Sequence, residues 1–543
     1  MFPELRDFLR TISLRERRFV GLSALALMVV TSLPLFFAYG FGAVRGMVWT
    51  GKQYLSPGDT PVYFSYIMQV KQGAYLFRNL FTTEHVPPVL NIFWLGVGLF
   101  ARAFSLSPLV AYYLTRTILI FPLCVVLYLL IGQCYRAVRE RMIALTCVLW
   151  TSGVGLFFEP FFGNAVATAT RYERPIDLWV SEGNTFLTVL YSPHFIASLT
   201  LFFAIILLLS FAWKTEHVRY GVAAGVCGLL LFQFHPFHAP TLYAIPFVYG
   251  AVMLLRKQHL QKNFWWSYAL FVGISLPSVA YHYYLSRSSP LIAAMNARNV
   301  TLTPSLWHVA IGFGVWSIAW ALTWQLRRRG YQQLLHWDFL CVWAIVQTSL
   351  LYSPLLFQRR LVEGLQFPLV MLGVPALCAL YAWLTKSRFA NRAYVIIFLA
   401  MILLSSNIYA VRSDIQLFFA NYGGLFYVDR NETAVWRWIE KNVSRDAVVL
   451  ASPFLSNMIP GMTGRTVFIG HWAMTLSGSQ KQSAAATFYR SQDSVGRAFF
   501  LKENNIGYVL YGPRERSAVR GEITMSGLQS VFRAGDFEVF AVK

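Results

Sequence analysis

The sequence predicts an α-helical polytopic membrane protein of about eleven spans, followed by a C-terminal α/β domain outside the membrane. Of the 543 residues, 56% are hydrophobic, 17% are aromatic and only 13% are charged, and the mean hydropathy is +0.50. Apolar runs near the bilayer-spanning length recur through residues 1–411. A soluble protein of this size needs more polar surface, so most of the chain is expected to lie in a membrane.

The N-terminal segment sets the expected topology. Five arginines precede the first apolar run, at residues 20–39; they are Arg6, Arg10, Arg15, Arg17 and Arg18. The run is too long for a signal peptide and lacks a cleavage pattern of small residues, so we expect an uncleaved first span with a cytoplasmic N-terminus. Basic clusters such as Arg327–Arg329 recur between alternate spans. The net charge of +22 therefore marks topology rather than nucleic-acid binding.

Hydropathy places the spans, about eleven in number, and an odd number puts the C-terminus outside a bacterial or archaeal cytoplasmic membrane. We expect them near residues 20–40, 108–131, 142–158, 193–213, 219–234, 239–255, 264–281, 306–325, 338–357, 365–385 and 393–411. The apolar stretch from Pro88 to Phe104 is left out, because counting it would place the later basic clusters outside. We expect a helix that lies at the membrane surface or is partly buried in the helical bundle.

Two domains follow from these patterns. Residues 1–411 form the membrane module, with a large outer loop at 41–107, and residues 412–543 form the C-terminal domain. Within the latter, strand patterns at 447–451, 466–469, 508–511 and 537–542 alternate with helical patterns at 432–442 and 494–504. All six cysteines precede this domain, so we expect packing or docking on the helical bundle, rather than disulfides, to hold it together.

The first outer loop carries the leading catalytic candidates. Asp59 lies where a turn enters a helical pattern, so its carboxylate could accept a proton from a substrate hydroxyl. The alternative is a helix cap, since Pro61 follows closely. Glu84 and His85 supply a second carboxylate and an imidazole suited to proton sharing, unless they form a solvated loop.

Three histidines are candidates for substrate binding. His194 begins the fourth span, and His235 and His238 form the tight turn between the fifth and sixth spans. Two histidines three residues apart could bind a metal ion, but no carboxylate or cysteine lies at a recognisable spacing. We therefore expect hydrogen bonding rather than a metal site, and no cofactor.

Arg359, Arg360 and Glu363 lie at the outer end of the ninth span, where basic residues are disfavoured. An arginine pair suits a lipid phosphate, and the alternative partners are Glu363 or outer-leaflet headgroups. Charges of the second outer loop, among them Arg171, Asp177 and Glu182, are expected to face solvent. In the C-terminal domain, Gly461–Arg465 and Gly470–Trp472 predict structural turns.

The layout resembles the GT-C class of polyprenyl-phosphate-sugar glycosyltransferases. The likeness is carried by the uncleaved first span, Asp59 in a large outer loop and the C-terminal exported domain, together with short elements at Gly73, Tyr75, Leu76, Pro87, Pro88 and Leu90. It implies that Asp59 is the base of an inverting transfer and that Arg359 or Arg360 holds the phosphate of a donor that arrives from the membrane lipids.

The sequence also departs from better-marked branches of the class. Thr60 and Pro61 follow Asp59, so no Asp-x-Asp motif supports a metal-dependent mechanism. The segment Trp265–Tyr268 lacks the aspartate of an oligosaccharyltransferase signature, which favours transfer of a single sugar to a glycan, glycolipid or protein hydroxyl. A lipid-linked glycan flippase and a non-catalytic assembly protein are the alternatives.

Overall fold

The computed structural model describes residues 3–55, 57–161, 172–215, 217–257, 262–331, 334–386, 391–420, 424–517 and 528–542. The chain divides into two compact units. The first unit comprises Met1–Pro34, Arg116–Tyr283 and Val300–Ser413, and the second unit comprises Leu35–Thr115, Tyr284–Asn299 and Asp414–Lys543. Most of the first outer loop and the C-terminal segment thus belong to the same unit.

Six helical segments among the described residues are long and apolar enough to cross a membrane. They are Leu14–Val44, Pro108–Cys134, Pro193–Lys214, Pro236–Leu255, Leu306–Arg328 and Gln358–Leu384. Two bent helix pairs qualify if each is one span: Val138–Trp150 with Gly155–Phe161, bent by 45°, and Arg392–Leu403 with Ser405–Ala420, bent by 61°. The chain is an integral membrane protein.

All eleven predicted spans fall on helices, but the exact number of crossings stays a prediction. The helices Arg219–Phe234, with 16 residues, and Trp337–Leu350, with 14 residues, are shorter than a usual span. The helix at the predicted span 264–281, Lys262–Ser288, has 27 residues. The span predicted at 338–357 is too long. Its helix ends at Leu350 because Ser353 precedes Pro354, and a residue before proline disfavours helical backbone.

The stretch from Pro88 to Phe104 contains the helix Ile92–Ala103, which belongs to the second unit. The Asn91 side chain caps this helix by accepting a hydrogen bond from the backbone N–H of Trp94. Its 12 residues rise about 18 Å, whereas a hydrocarbon core is about 30 Å thick. The helix is therefore too short to cross a membrane, in agreement with its exclusion from the predicted spans.

The remaining helices lie outside the predicted spans. The α-helices are Pro3–Thr11, Thr60–Lys71, Thr185–Tyr191, Pro290–Arg298, Arg430–Asn442, Pro453–Ser456, Ile459–Thr463, Gly478–Arg490, Ser494–Glu503 and Pro513–Ser517. The 3₁₀ helices are Glu159–Phe161, Ile176–Leu178, Pro236–His238 and Gln358–Val362. The predicted helices at 432–442 and 494–504 are confirmed, with Asp429 and Asp493 as their capping residues.

The second unit contains two sheets. Strand β1 (Val48–Trp49) pairs antiparallel with β2 (Tyr427–Val428). The larger sheet consists of β3 (Val448–Leu450), β4 (Thr466–Val467), β5 (Ile506–Tyr511), β6 (Leu528–Ala534) and β7 (Phe537–Val542). The strand order is β4-β3-β5-β7-β6, with β3 parallel to β4 and β5, and β7 antiparallel to β5 and β6. Strand β6 is absent from the sequence prediction.

Helices cover both faces of the larger sheet. Val449 packs with Trp436 and Ile439 on one face, whereas Val448 and Leu450 pack with Phe488 on the other. This alternation is the period of two that a β-strand imposes on its side chains. The predicted α/β domain is therefore confirmed.

A buried arginine joins the segments next to β4. Arg465 is 5% exposed and donates hydrogen bonds to the carbonyl oxygens of Val443 (2.8 Å), Thr463 (2.8 Å) and Glu440 (2.6 Å). It follows Gly464, whose φ of +70° ends the helix Ile459–Thr463 in the left-handed conformation. The segment predicted as a turn at Gly461–Arg465 is thus the end of a helix, and the arginine that follows it anchors the neighbouring segments.

We predict that Arg465→Met destabilises the protein by about 3 kcal/mol, since it leaves buried carbonyl oxygens without a hydrogen-bond donor. The purified full chain should show a lower unfolding temperature by differential scanning fluorimetry. Arg437→Met, at an exposed arginine of the same unit, is the matched control and should unfold as wild type does. Equal unfolding temperatures for the two variants would contradict the anchoring role.

Candidate active site

Asp59 is positioned at the start of the helix Thr60–Lys71, in the second unit. Asp59 is the N-cap residue of this helix, but its side chain makes no capping hydrogen bond among the described residues. The carboxylate is instead 2.9 Å from His471, measured from Asp59 Oδ1 to His471 Nε2. With 40% of the side chain exposed, Asp59 is open to a substrate.

His471 was missed as a site residue, and the sequence indicated only a turn there. The imidazole is 5% exposed, and its Nδ1 accepts a hydrogen bond of 3.2 Å from the backbone N–H of Ala473. A neutral imidazole that accepts at Nδ1 carries its proton on Nε2. His471 therefore donates to Asp59, and this hydrogen bond fixes the direction of the carboxylate.

Glu84 lies in the same unit and is held by a lysine. Its Oε2 is 2.6 Å from Lys481 Nζ and also accepts from the Thr82 hydroxyl, while Lys481 contacts the Thr83 hydroxyl at 3.0 Å. Burial by itself would raise the pKa of Glu84, but the hydrogen bonds from Lys481 and Thr82 outweigh it and lower the pKa. His85 is exposed. Catalytic roles for Glu84 and His85 stay predictions.

The three candidate histidines and Glu363 meet in the first unit. Glu363 Oε2 is 3.1 Å from His238 Nε2 and 3.5 Å from His235 Nε2, and the rings of His235 and His194 are 6.1 Å apart. Glu363 Oε1 accepts a hydrogen bond of 2.6 Å from the hydroxyl of Ser198. The structure brings these four residues together, and their role in substrate binding stays a prediction.

The arginine pair also lies in the first unit, where each guanidinium stacks on an aromatic ring. Arg359 lies over Trp179, 4.5 Å from the ring centroid, and Arg360 lies over Phe237 at 4.7 Å. Arg360 Nη1 comes within 3.9 Å of the carboxylate of Glu182, which is 5% exposed. Stacking leaves the edges of a guanidinium available to hydrogen-bond an anion.

The second outer loop is more buried than its charges indicated. Asp177 and Glu182 are 2% and 5% exposed, so the prediction of a solvated face is wrong for both; Arg171 lies outside the described residues. Asp177 accepts hydrogen bonds from the backbone N–H of Gly155 and from the hydroxyl of Ser406. Burial raises the pKa of Asp177 to about 6. The sequence offered no signal for this burial, since the partners lie far along the chain.

The chain resembles known structures although its sequence matches none. The apo oligosaccharyltransferase of Archaeoglobus fulgidus aligns with a TM-score of 0.52 and 11% identity, over 90% of this chain and 69% of that chain. The complex of oligosaccharyltransferase AglB from the same organism with an inhibitory peptide and a dolichol-phosphate gives 0.51 and 12%, with the same coverage. ArnT from Cupriavidus metallidurans bound to undecaprenyl phosphate gives 0.49 and 10%, over 94% and 97% of the two chains.

The two Archaeoglobus alignments show that this chain has the fold of the GT-C glycosyltransferases. At 11% and 12% identity the likeness concerns the fold alone. No protein-family model and no curated protein sequence matches the chain.

We predict that the Glu84–Lys481 pair makes stability depend on pH. A carboxyl whose pKa is lowered by folding contributes stability above its unfolded pKa, about 4.3, which is lost as the pH falls through the lower folded pKa. The unfolding temperature of wild type should therefore fall more steeply below about pH 5 than that of Glu84→Gln. Glu503→Gln, at an exposed glutamate of the same unit, should follow wild type; a wild-type slope in Glu84→Gln would contradict the prediction.

Proposed function

We propose that the protein is a glycosyltransferase that moves one sugar from a polyprenyl-phosphate donor to an acceptor hydroxyl on the extracytoplasmic face, with inversion. The observation that carries the proposal is the Asp59 carboxylate, which makes no helix-capping hydrogen bond, is partly exposed and is oriented by His471. The fold supports it, because the similar Archaeoglobus protein is an oligosaccharyltransferase with a structure in complex with a dolichol-phosphate. Asp59 is the base in this scheme.

The chemistry follows from a single displacement. Asp59 takes the proton of the acceptor hydroxyl as the acceptor oxygen bonds to the anomeric carbon of the sugar. The bond from that carbon to the phosphate oxygen breaks on the opposite face, and its electron pair leaves with the polyprenyl phosphate. His471 does not exchange a proton in this step, since its role is to hold Asp59 in the direction of attack.

The arginine pair is the proposed phosphate site. Arg359 Nε is buried and makes no hydrogen bond to the described residues, and the side chain is held flat against Trp179. A guanidinium fork fits phosphate oxygens, and a buried cation favours a partner of opposite charge. Arg360, beside Glu182, supplies the second cation of the same pair.

We predict that Asp59→Asn lowers turnover by about a hundredfold or more while the fold is kept, because the amide cannot accept the proton. The measurement is label transfer and release of polyprenyl phosphate from a panel of radiolabelled polyprenyl-phosphate sugars, with purified protein in lipid and membrane extract as the acceptor. Asp446→Asn, at an exposed aspartate that pairs with Arg78, is the control and should keep full activity.

His471→Ala should lower kcat by roughly tenfold with little change in KM for the donor, since it removes an orienting group rather than the base. Normal turnover in Asp59→Asn would refute the assignment. Donor binding without turnover in every form, wild type included, would instead indicate a flippase or an assembly protein.

We predict that Arg359→Ala and Arg360→Ala weaken donor binding by roughly 10- to 100-fold, as expected for loss of charge-assisted hydrogen bonds worth about 1.5–3 kcal/mol. Binding of a polyprenyl phosphate to protein in nanodiscs measures the effect directly. Arg327→Ala is the matched control, because Arg327 also stacks on an aromatic ring, that of Trp337. Equal affinities in all three variants would exclude the arginine pair as the phosphate site.

A further inference from the structure

In the first unit, His235, His238 and Glu363 form a cluster in which the carboxylate lies beside both imidazoles. His235 precedes the 3₁₀ helix Pro236–His238, and His238 is its last residue. Glu363 follows the 3₁₀ helix Gln358–Val362. The exposed fractions of His235, His238 and Glu363 are 2%, 0% and 0%. Three titratable side chains thus converge where water has no access from the surface.

Several buried atoms of this cluster make no well-aligned hydrogen bond to the described residues, although Glu363 Oε2 lies close to both imidazoles. They are His235 Nε2, both ring nitrogens of His238, and Glu363 Oε2. The opposite oxygen, Glu363 Oε1, is fixed by the hydroxyl of Ser198 at 2.6 Å, so the carboxylate points its free oxygen at the two imidazoles. Buried polar atoms without partners are costly and indicate a missing ligand.

The spacing of these atoms identifies the ligand. Glu363 Oε2 is 3.1 Å from His238 Nε2 and 3.5 Å from His235 Nε2, and ligand atoms from all three residues lie within 4.8 Å of one another. Metal–ligand bonds of about 2.0–2.1 Å in a tetrahedron place the ligand atoms about 3.3 Å apart. The two distances from Glu363 Oε2 to the histidine nitrogens therefore match those of a tetrahedral metal site.

We propose that His235, His238 and Glu363 bind a zinc ion. Two imidazole nitrogens and one carboxylate oxygen are a donor set that suits zinc, whereas magnesium and calcium prefer oxygen ligands alone. The ion would satisfy His235 Nε2 and one ring nitrogen of His238, and it would compensate the buried charge of Glu363. Three protein ligands leave a fourth position for a non-protein atom.

The metal would join two turns that are 125 residues apart in the chain, counted from His238 to Glu363. The second of these turns carries Arg359 and Arg360, and the side chain of Arg360 lies over Phe237, inside the first turn. A bound zinc ion would therefore link the turn next to the arginine pair to the turn that carries Phe237. This positioning role rests on the proposed function of the arginines, whereas zinc binding itself does not.

The test measures bound metal rather than activity. The full chain, purified in detergent, is stripped with a chelator, exposed to equimolar zinc, desalted and examined by inductively coupled plasma mass spectrometry. We expect roughly one zinc per chain in wild type and about a tenth of that or less in His238→Ala and Glu363→Gln. Co²⁺ in place of zinc should give the visible absorption of a tetrahedral site in wild type only.

His282→Gln is the matched control, since His282 is a histidine of the same unit whose Nε2 contacts the carbonyl oxygen of Gln233 at 2.8 Å. It should retain the metal. Absence of zinc and of the Co²⁺ spectrum in wild type would overturn the proposal, and so would equal zinc content in wild type, Glu363→Gln and His282→Gln. Because wild type is measured alone first, the result stands even if a variant fails to fold. Loss of turnover in Asp59→Asn without loss of zinc would keep the two proposals distinct.

Discussion

The hydrogen bond between Asp59 and His471 depends on how the second unit is built. Two segments that are far apart in sequence fold there as one body: the helix Thr60–Lys71 contacts the helix Ile459–Thr463 closely enough that a Cβ atom at Gly461 would lie 2.8 Å from the carbonyl oxygen of Pro61. The backbone N–H of Val467 donates to the carbonyl of Leu80 at 2.9 Å, next to β4. Any change that separates these segments also removes the partner of Asp59.

The same unit holds a second contact of this kind. Lys481, on the helix Gly478–Arg490, reaches Glu84, and the bridge between Thr82 and Ile469 aligns the two backbones there. The outer loop therefore has few degrees of freedom of its own. In the proposed transfer, a base that is held in place before the acceptor binds would need little further ordering to meet the acceptor hydroxyl.

In the first unit the governing constraint is the cost of buried charge. Arg116, with no exposed surface, donates to the carbonyl oxygens of Val189 and Thr31 at 2.8 and 2.7 Å. Asp177 Oδ2 accepts hydrogen bonds from a backbone N–H and a hydroxyl, whereas its Oδ1 makes none to the described residues. Glu363 likewise has one oxygen held by a hydroxyl, and its other oxygen lies beside the imidazoles of His235 and His238. Those two imidazoles distinguish the surroundings of Glu363 and support the proposed zinc site.

The sequence by itself determined the features that depend on local composition. Hydropathy located the membrane helices, periods of two and 3.6 residues located most strands and helices of the C-terminal domain, and the turn before Thr60 singled out Asp59. Hydropathy, periodicity and turn propensity depend on residues that are close together in the sequence. The helix end at Leu350 and the strand Leu528–Ala534 were not predicted, because the limits of these elements depend on packing and on strand pairing.

Only the tertiary structure decided which functional groups meet. His471 lies 412 residues from Asp59, and Glu363 lies far along the chain from the histidines that it faces, so no spacing in the sequence marks either contact. The burial of Asp177 and Glu182 was likewise invisible, since a charged loop has the same composition whether it faces water or packed helices. The physical reason is the same in all three cases. The fold determines which groups lie beside a buried or oriented charge, and the separation of two residues in the sequence does not indicate their distance in space.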